Sequence, residues 1–206
     1  MPSRRELLLA APLLAAAPKS KKPEEEKEDV SPAEDLMREH GLLNRVLLVY
    51  EECARRMDAG QSPPEQLKQA AEIIRDFVES YHEKLEEQFL FPRFRKPNKL
   101  VDLVDTLQAQ HEAGRKITAS LLEKPSPAQL RAFIRMYRPH EAREDTILFP
   151  AFRTLIGEKE YDALGDRFED REHELFGKSG FEGQVENVAG IERELGIYDL
   201  AQFTPR

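Results

Sequence analysis

Residues 82–94, HEKLEEQFLFPRF, and residues 140–152, HEAREDTILFPAF, carry the same pattern. Each copy begins with His-x-x-x-Glu and continues into Leu-Phe-Pro-x-Phe. On an α-helix, side chains four residues apart lie on one face, one turn from each other. Each copy therefore predicts a helix that presents an imidazole beside a carboxylate and that ends near its Leu-Phe-Pro.

The composition favours a helical domain and excludes several classes of protein. The chain has 206 residues, of which 40% are hydrophobic and 34% charged, with 10 Gly and no Trp. This length holds one domain of about 150 residues plus tails. A net charge of -8 without a basic face argues against binding to nucleic acid. The single Cys53 excludes an internal disulfide framework and a thiolate zinc cluster, and we interpret it as a buried thiol.

Three serines mark helix starts. Ser31, Ser62 and Ser126 are each followed by proline and, three positions on, by Glu or Gln, which is a capping box with proline in the first turn. Together with the apolar periodicity, they predict helices over about 32–58, 63–91, 98–122 and 127–149. Short connections make such neighbours antiparallel. The predicted fold is therefore all-α, an up-down antiparallel four-helix bundle with a C-terminal helical extension.

Each of the four predicted helices carries one histidine on its apolar stripe, and the chain has only five histidines. The four are His40, His82, His111 and His140. A buried imidazole needs a hydrogen-bond partner or a metal. Glu86 and Glu144 fall at the inward edge of the same stripes, and two buried carboxylates without a cation would be costlier still. This pattern favours a metal site over a metal-free structural bundle whose histidines only hydrogen-bond internally.

With these residues in place, the chain resembles the hemerythrin-like cation-binding domains that have four histidines and two bridging glutamates. The resemblance covers about residues 33–156 and includes both Leu-Phe-Pro segments. It implies two iron ions, bridged by an oxo or hydroxo group, although the mixed imidazole and carboxylate ligands also suit manganese. The metal ligands that it implies are His40 and His82 for one ion, His111 and His140 for the other, and Glu86 and Glu144 as bridges.

The sequence departs from the oxygen-carrying members of that family at one position. Those members have a fifth histidine one turn after the histidine of the third helix, where this chain has Arg115. The resemblance then implies an open position on each iron, at which a small molecule such as dioxygen, nitric oxide or peroxide binds or reacts. The alternative is an iron-sensing or iron-donating module without turnover. No catalytic residue and no redox partner are predicted.

The two ends of the chain are predicted to lie outside the bundle of residues 31–156. Residues 1–30 contain Arg4-Arg5, an apolar run and a charged segment, which resemble a twin-arginine export signal followed by a disordered linker. We therefore expect a periplasmic protein without a stable membrane anchor after export; a cytoplasmic tail is the alternative. Residues 157–206 predict helices at about 158–176 and 184–195 that pack on the bundle.

Several polar residues near the predicted ligands have open roles. Glu83, Glu112 and Glu141 each follow a ligand histidine and are expected to face solvent, or else to support the ligands. Core packing is the expected role of three tyrosines, with hydrogen bonding to a bridging carboxylate as the alternative. These are Tyr50, Tyr81 and Tyr137. His173 is expected at the surface, and the alternative places it in a cap over the metals.

Overall fold

The computed structural model describes residues 30–205, and all regular secondary structure within that range is helical. The all-α prediction is confirmed, whereas the export-signal prediction concerns residues outside the described part. Four helices are uninterrupted, namely Pro32–Asp58 (α1), Val101–Glu123 (α3), Glu158–Phe176 (α5) and Gly180–Leu195 (α6). Between them, one helix begins at Glu65 (α2) and another at Pro127 (α4). Short 3₁₀ helices lie at Gly177–Ser179 and Leu200–Phe203.

Helices α2 and α4, which contain the two sequence repeats, alternate between α and π geometry. The α-helical parts of α2 are Glu65–Ile73, Glu83–Leu85 and Phe91–Arg95, and its π-helical parts are Ile74–His82 and Glu86–Leu90. Helix α4 has α-helical parts Pro127–Arg143 and Phe149–Leu155 around a π-helical part Glu144–Leu148. A π-helical turn thus starts at the glutamate of each repeat, and such turns are frequent at functional sites.

The prediction that these helices end near Leu-Phe-Pro was wrong. Helix α2 continues through Pro92 to Arg95, and α4 continues through Pro150 to Leu155. Proline lacks an N–H and its ring collides with the carbonyl four residues earlier. In both helices the wider π turn ends two residues before the proline. The carbonyl four residues before the proline therefore lies in the π turn, where the regular α-helical hydrogen bonds are already replaced.

Two of the three predicted caps are present. The Ser31 side chain accepts a hydrogen bond from the Glu34 N–H, and the Ser126 side chain accepts one from the Gln129 N–H, each at 3.4 Å. The cap predicted at Ser62 was wrong, because α2 begins at Glu65 without a side-chain cap. Proline disfavours helical geometry in the residue before it. Pro63 and Pro64 in succession therefore delay the helix beyond the reach of Ser62.

The helices pack around one apolar core. Helix α1 contacts α2 and α4, and α3 also contacts α2 and α4, while α5 and α6 pack against α1. The bidentate ion pair between Arg45 and Glu192, at 2.6 and 3.0 Å, links α1 to α6.

Cys53 is fully buried, as predicted, and burial raises the pKa of its thiol to about 12. None of the helices in the described part is long and apolar enough to cross a membrane.

The caps give a matched pair of stability variants. We expect Ser126→Ala to lower the free energy of unfolding by about 1 kcal/mol, because the substitution removes the acceptor of the Gln129 N–H. Ser62→Ala is the control, since Ser62 caps no helix. Urea denaturation of both variants in the metal-free state measures the difference. Equal losses in the two variants would contradict the capping assignment.

Candidate metal centre

The structure brings the six predicted side chains together in its interior. Each of them is at most 4% exposed. The imidazole rings of His40 and His82 lie 4.9 Å apart, and those of His111 and His140 lie 5.0 Å apart. The four histidines therefore form two pairs, each contributed by two consecutive helices. This pairing is the one that the family resemblance implies for two ions.

The two glutamates lie between the histidine pairs. Oε2 of Glu86 is 3.7 Å from Nε2 of His82 and 3.4 Å from Nε2 of His111. Oε2 of Glu144 is 3.4 Å from Nε2 of His40 and 3.0 Å from Nε2 of His140. Each carboxylate therefore reaches one histidine of each pair. This arrangement is the one needed for a carboxylate that bridges two ions.

Every one of the four imidazoles is oriented through its other nitrogen. Nδ1 of His40 lies 2.7 Å from Asp145, and Nδ1 of His82 lies 2.5 Å from Glu39. His111 and His140 make the corresponding bonds to Glu87 at 3.2 Å and to Gln110 at 2.9 Å. Since all four partners are oxygen acceptors, the hydrogen-bond pattern assigns the proton to Nδ1 in each neutral ring. Each Nε2 is then left with a lone pair that points at a carboxylate.

These contacts leave acceptors facing acceptors. Both oxygens of Glu86, both oxygens of Glu144 and Nε2 of His111 are buried without a hydrogen-bond donor. Burial raises the pKa of Glu86, and the neighbouring Glu144 carboxylate raises it further. Buried anionic groups of this kind need a cation or a proton between them.

The donor set fits metal ions. Adjacent ligands on one ion, each at about 2.1 Å, are separated by about 3 Å, which is close to the Nε2–Oε2 distances in the centre. Two groups of side chains with the composition and spacing to hold a metal ion overlap at Glu86: one contains His111, His140 and Glu144, and the other contains His40 and His82. Imidazole and carboxylate ligands without thiolate suit iron or manganese.

The Leu-Phe-Pro segments contribute to the centre in a way that sequence reasoning missed. Phe91 stacks on His111, with ring centroids 5.5 Å apart and planes 21° from parallel. Phe149 stacks on His40 at the same 5.5 Å, with planes 20° apart. In each repeat, the phenylalanine thus covers the histidine of a neighbouring helix. It shields that imidazole from water and restricts its rotation.

The residues after the repeat histidines are buried, so the solvent-facing expectation was wrong for Glu83 and Glu141, which are 1% and 2% exposed. Glu112 is exposed, as expected. Each glutamate is one residue after its histidine and so points about 100° away from it around the helix axis. A helix with neighbours on both sides buries side chains at that angle too, because they face the adjacent helix. Glu141 accepts a hydrogen bond from Asn44 there, and burial raises the pKa of its carboxyl to about 8.

Arg115 lies among the groups that support the histidines. Its guanidinium bonds to Glu83 at 2.6 Å and also to Glu87, whose carboxylate accepts from His111. Burial opposes ionisation of Glu87, but the hydrogen bonds from His111 and from the cations around it hold its pKa well below the usual range. Arg115 thus neutralises carboxylates beside the centre. Asn44, one turn after His40, occupies the corresponding position on α1.

Tyr137 joins the same network through Glu83, whereas Tyr50, Tyr81 and His173 do not. The Tyr137 hydroxyl donates to Glu83 at 2.6 Å, and a Cβ at Gly114 would overlap that hydroxyl. Tyr50 and Tyr81 are buried in the core. None of the three tyrosines donates a hydrogen bond to Glu86 or Glu144. His173 is exposed on α5 and belongs to none of the metal-binding groups found in residues 30–205, which agrees with the surface expectation.

Comparisons with known proteins agree with this geometry. The family described as hemerythrin HHE cation binding domain matches residues 31–152. The chain is 46% identical over 197 residues to the uncharacterized protein Mb2018 of Mycobacterium bovis and to the uncharacterized protein Rv1995 of Mycobacterium tuberculosis. Each alignment covers 89% of this chain and 77% of the relative. No solved structure matches the chain. The chain belongs to the hemerythrin HHE cation-binding domain family.

Proposed function

We propose that this protein is a non-haem di-iron protein that binds or redox-processes a small molecule, namely dioxygen, nitric oxide or peroxide. The observation that carries the proposal is the convergence of four imidazole Nε2 atoms on two buried carboxylates that lack hydrogen-bond donors. In this proposal His40 and His82 hold one ion, and His111 and His140 hold the other. Glu86 and Glu144 would be the ligands shared by both ions, and an oxo or hydroxo group would complete the pair.

We further propose that α1 to α4 form an up-down antiparallel four-helix bundle over residues 31–156, with residues 157–206 packed on it. The contacts of α1 and α3 with both α2 and α4 support this arrangement. So does the meeting of His40, near the start of α1, with His82, far along α2. Antiparallel neighbours bring such positions to the same end of a bundle.

When bound, iron would supply electrons and open coordination positions for a small ligand. The protein's own contribution is to fix and shield the ligands. The Nδ1 bonds to Glu39, Asp145, Glu87 and Gln110 hold the four rings in one tautomer. Phe91 and Phe149 cover two of these rings and limit the entry of water. A buried site of this kind admits a small neutral molecule more readily than a large or charged one.

Metal analysis and a spectrum test the centre directly. Protein loaded with ferrous iron under anaerobic conditions and then exposed to oxygen is expected to hold about two irons per chain, with near-ultraviolet absorption from the bridged pair. Glu86→Ala combined with Glu144→Ala removes both bridges, so we expect both iron and absorption to be lost. Retention of the iron by a folded double variant, or absence of iron from the parent protein, would contradict the proposal.

The same preparation separates the preferred function from the iron-sensing or iron-donating alternative. A protein that processes a small molecule is expected to keep its iron during repeated cycles while it consumes or releases that molecule. A sensing or donating module is expected to exchange iron readily with a chelator and to consume none. Rapid exchange without any reaction with dioxygen, nitric oxide or peroxide would favour the alternative.

The hydrogen bonds to Nδ1 give a second, graded prediction. Asp145→Ala removes the acceptor for His40, and loss of such a supporting bond is expected to weaken metal binding about 10- to 100-fold. Asp145→Asn is the matched control, because its amide oxygen still accepts from Nδ1. Competition with a chelator measures the affinities. If the Ala and Asn variants bind metal equally, the bond to Asp145 does not orient the ligand.

We also propose export to the periplasm through the twin-arginine-like segment, supported by Arg4-Arg5 and the apolar run that follows. Arg4→Lys combined with Arg5→Lys is expected to retain the protein in the cytoplasm, because the paired arginines are the part of the signal that the export receptor reads. Cell fractionation of the parent and the variant measures this. A parent protein found only in the cytoplasm would overturn the localisation.

A further inference from the structure

A second group of carboxylates lies between α1 and α5, beside the metal centre but without a histidine. Asp35, Glu39 and Glu172 each place one oxygen within 4.8 Å of the others. Glu39 and Glu172 are buried at 2% and 8% exposure, and Asp35 is partly exposed. Three carboxylates at this separation repel one another strongly unless a positive charge lies among them.

Glu39 supplies an independent sign of a missing ligand. Its Oε2 is 2.5 Å from Nδ1 of His82, whereas its Oε1 is buried without a hydrogen-bond partner. The Tyr81 hydroxyl lies close enough to stabilise this carboxylate and is also 3.5 Å from the Phe168 carbonyl, to which it donates. The free oxygen of Glu39 belongs to a side chain that the His82 bond holds in position. It cannot turn to solvent for a partner.

The other two carboxylates are also constrained. Oε1 of Glu172 accepts the Phe181 N–H at 2.9 Å, and its carboxylate occupies the space that a side chain at residue 180 would fill, where the chain has Gly180. The positive charge of Arg38 acts on Asp35, but its guanidinium is directed to α6, 3.6 Å from Glu182 and 4.9 Å from the Phe181 ring. Among residues 30–205, no lysine or arginine forms an ion pair with Asp35, Glu39 or Glu172.

A surface cleft of about 680 Å³ leads to this group and has Asp35 and Glu172 in its wall. Six carboxylate side chains line the cleft, against the two cationic side chains Arg38 and Lys178. A cleft lined mainly by one sign of charge concentrates ions of the opposite sign. Exposure decreases from the cleft through Asp35 and Glu172 to Glu39. A cation that enters the cleft therefore meets Asp35 and Glu172 in its wall, and an oxygen of Glu39 lies within 4.8 Å of theirs.

We propose that Asp35, Glu39 and Glu172 form a third cation site, separate from the histidine centre, that binds a hard divalent cation through oxygen ligands alone. Carboxylate oxygens without imidazole or thiolate suit manganese, magnesium, calcium or ferrous ions. The site does not depend on the function proposed for the histidine centre. The competing occupant is a proton shared among the carboxylates, and the experiment distinguishes the two.

Titration of the full-length protein with Mn²⁺ tests this site, because free Mn²⁺ is counted by its paramagnetic resonance signal. Asp35→Asn combined with Glu172→Gln removes two ligand charges and leaves Glu39, which orients His82, unchanged. We expect this variant to bind one Mn²⁺ fewer than the parent. Asp162→Asn combined with Asp166→Asn is the control, because both residues line the cleft outside the group and the variant should keep that ion.

A variant without the histidine centre makes the two sites distinguishable. Glu86→Ala combined with Glu144→Ala is expected to retain one Mn²⁺, and adding Asp35→Asn and Glu172→Gln should abolish it. Circular dichroism verifies that each variant is helical, and the single variants Asp35→Asn and Glu172→Gln replace the pair if it does not fold. Equal Mn²⁺ stoichiometry in the parent and the Asp35/Glu172 variants would overturn the third site and favour the shared proton.

Discussion

The architecture depends on two carboxylates, Glu86 and Glu144, that are fully buried and lack any hydrogen-bond donor. Four imidazole nitrogens face them at 3.0–3.7 Å. Without cations or added protons, this arrangement is a cluster of mutually repelling acceptors in an apolar interior. With cations, the same groups become ligands, and binding energy contributes to folding because the unfolded chain has no preformed site. The helices, their π turns and the stacked phenylalanines all serve to hold these six side chains.

The centre has an approximate two-fold organisation that relates α1 and α2 to α3 and α4. In each repeat the residue after the buried glutamate, Glu87 or Asp145, accepts a hydrogen bond from a histidine of another helix. The other two histidines, His40 and His111, lie outside the repeats. The residue before each of them accepts a hydrogen bond from the histidine of a repeat: Glu39 from His82, and Gln110 from His140. The halves differ in charge, because a carboxylate supports His82 where a neutral amide supports His140. The surroundings of the His40 and His82 pair therefore carry more negative charge than those of the His111 and His140 pair, where Arg115 also offsets Glu87.

Sequence reasoning reached the six central residues because helical periodicity placed each of them on an inward stripe, and because four histidines in four helices are hard to explain separately. It also gave the bounds of α1 and α5 closely. It missed the Nδ1 acceptors, since Asp145 is 105 residues from His40 and no local pattern connects them. It misjudged Glu83 and Glu141 because a single helix gives no information about its neighbours. It ended α2 and α4 too early, since the π turns that accommodate Pro92 and Pro150 have no sequence signature of their own.

The most direct test of the account is a crystal structure of the iron-loaded protein with anomalous diffraction measured at the iron absorption edge. The account predicts two peaks between Glu86 and Glu144, one bound by Nε2 of His40 and His82 and the other by Nε2 of His111 and His140. A single peak, or coordination through Nδ1, would contradict the assignment of the ligands. Density for iron elsewhere, with none between the two glutamates, would contradict the metal centre itself.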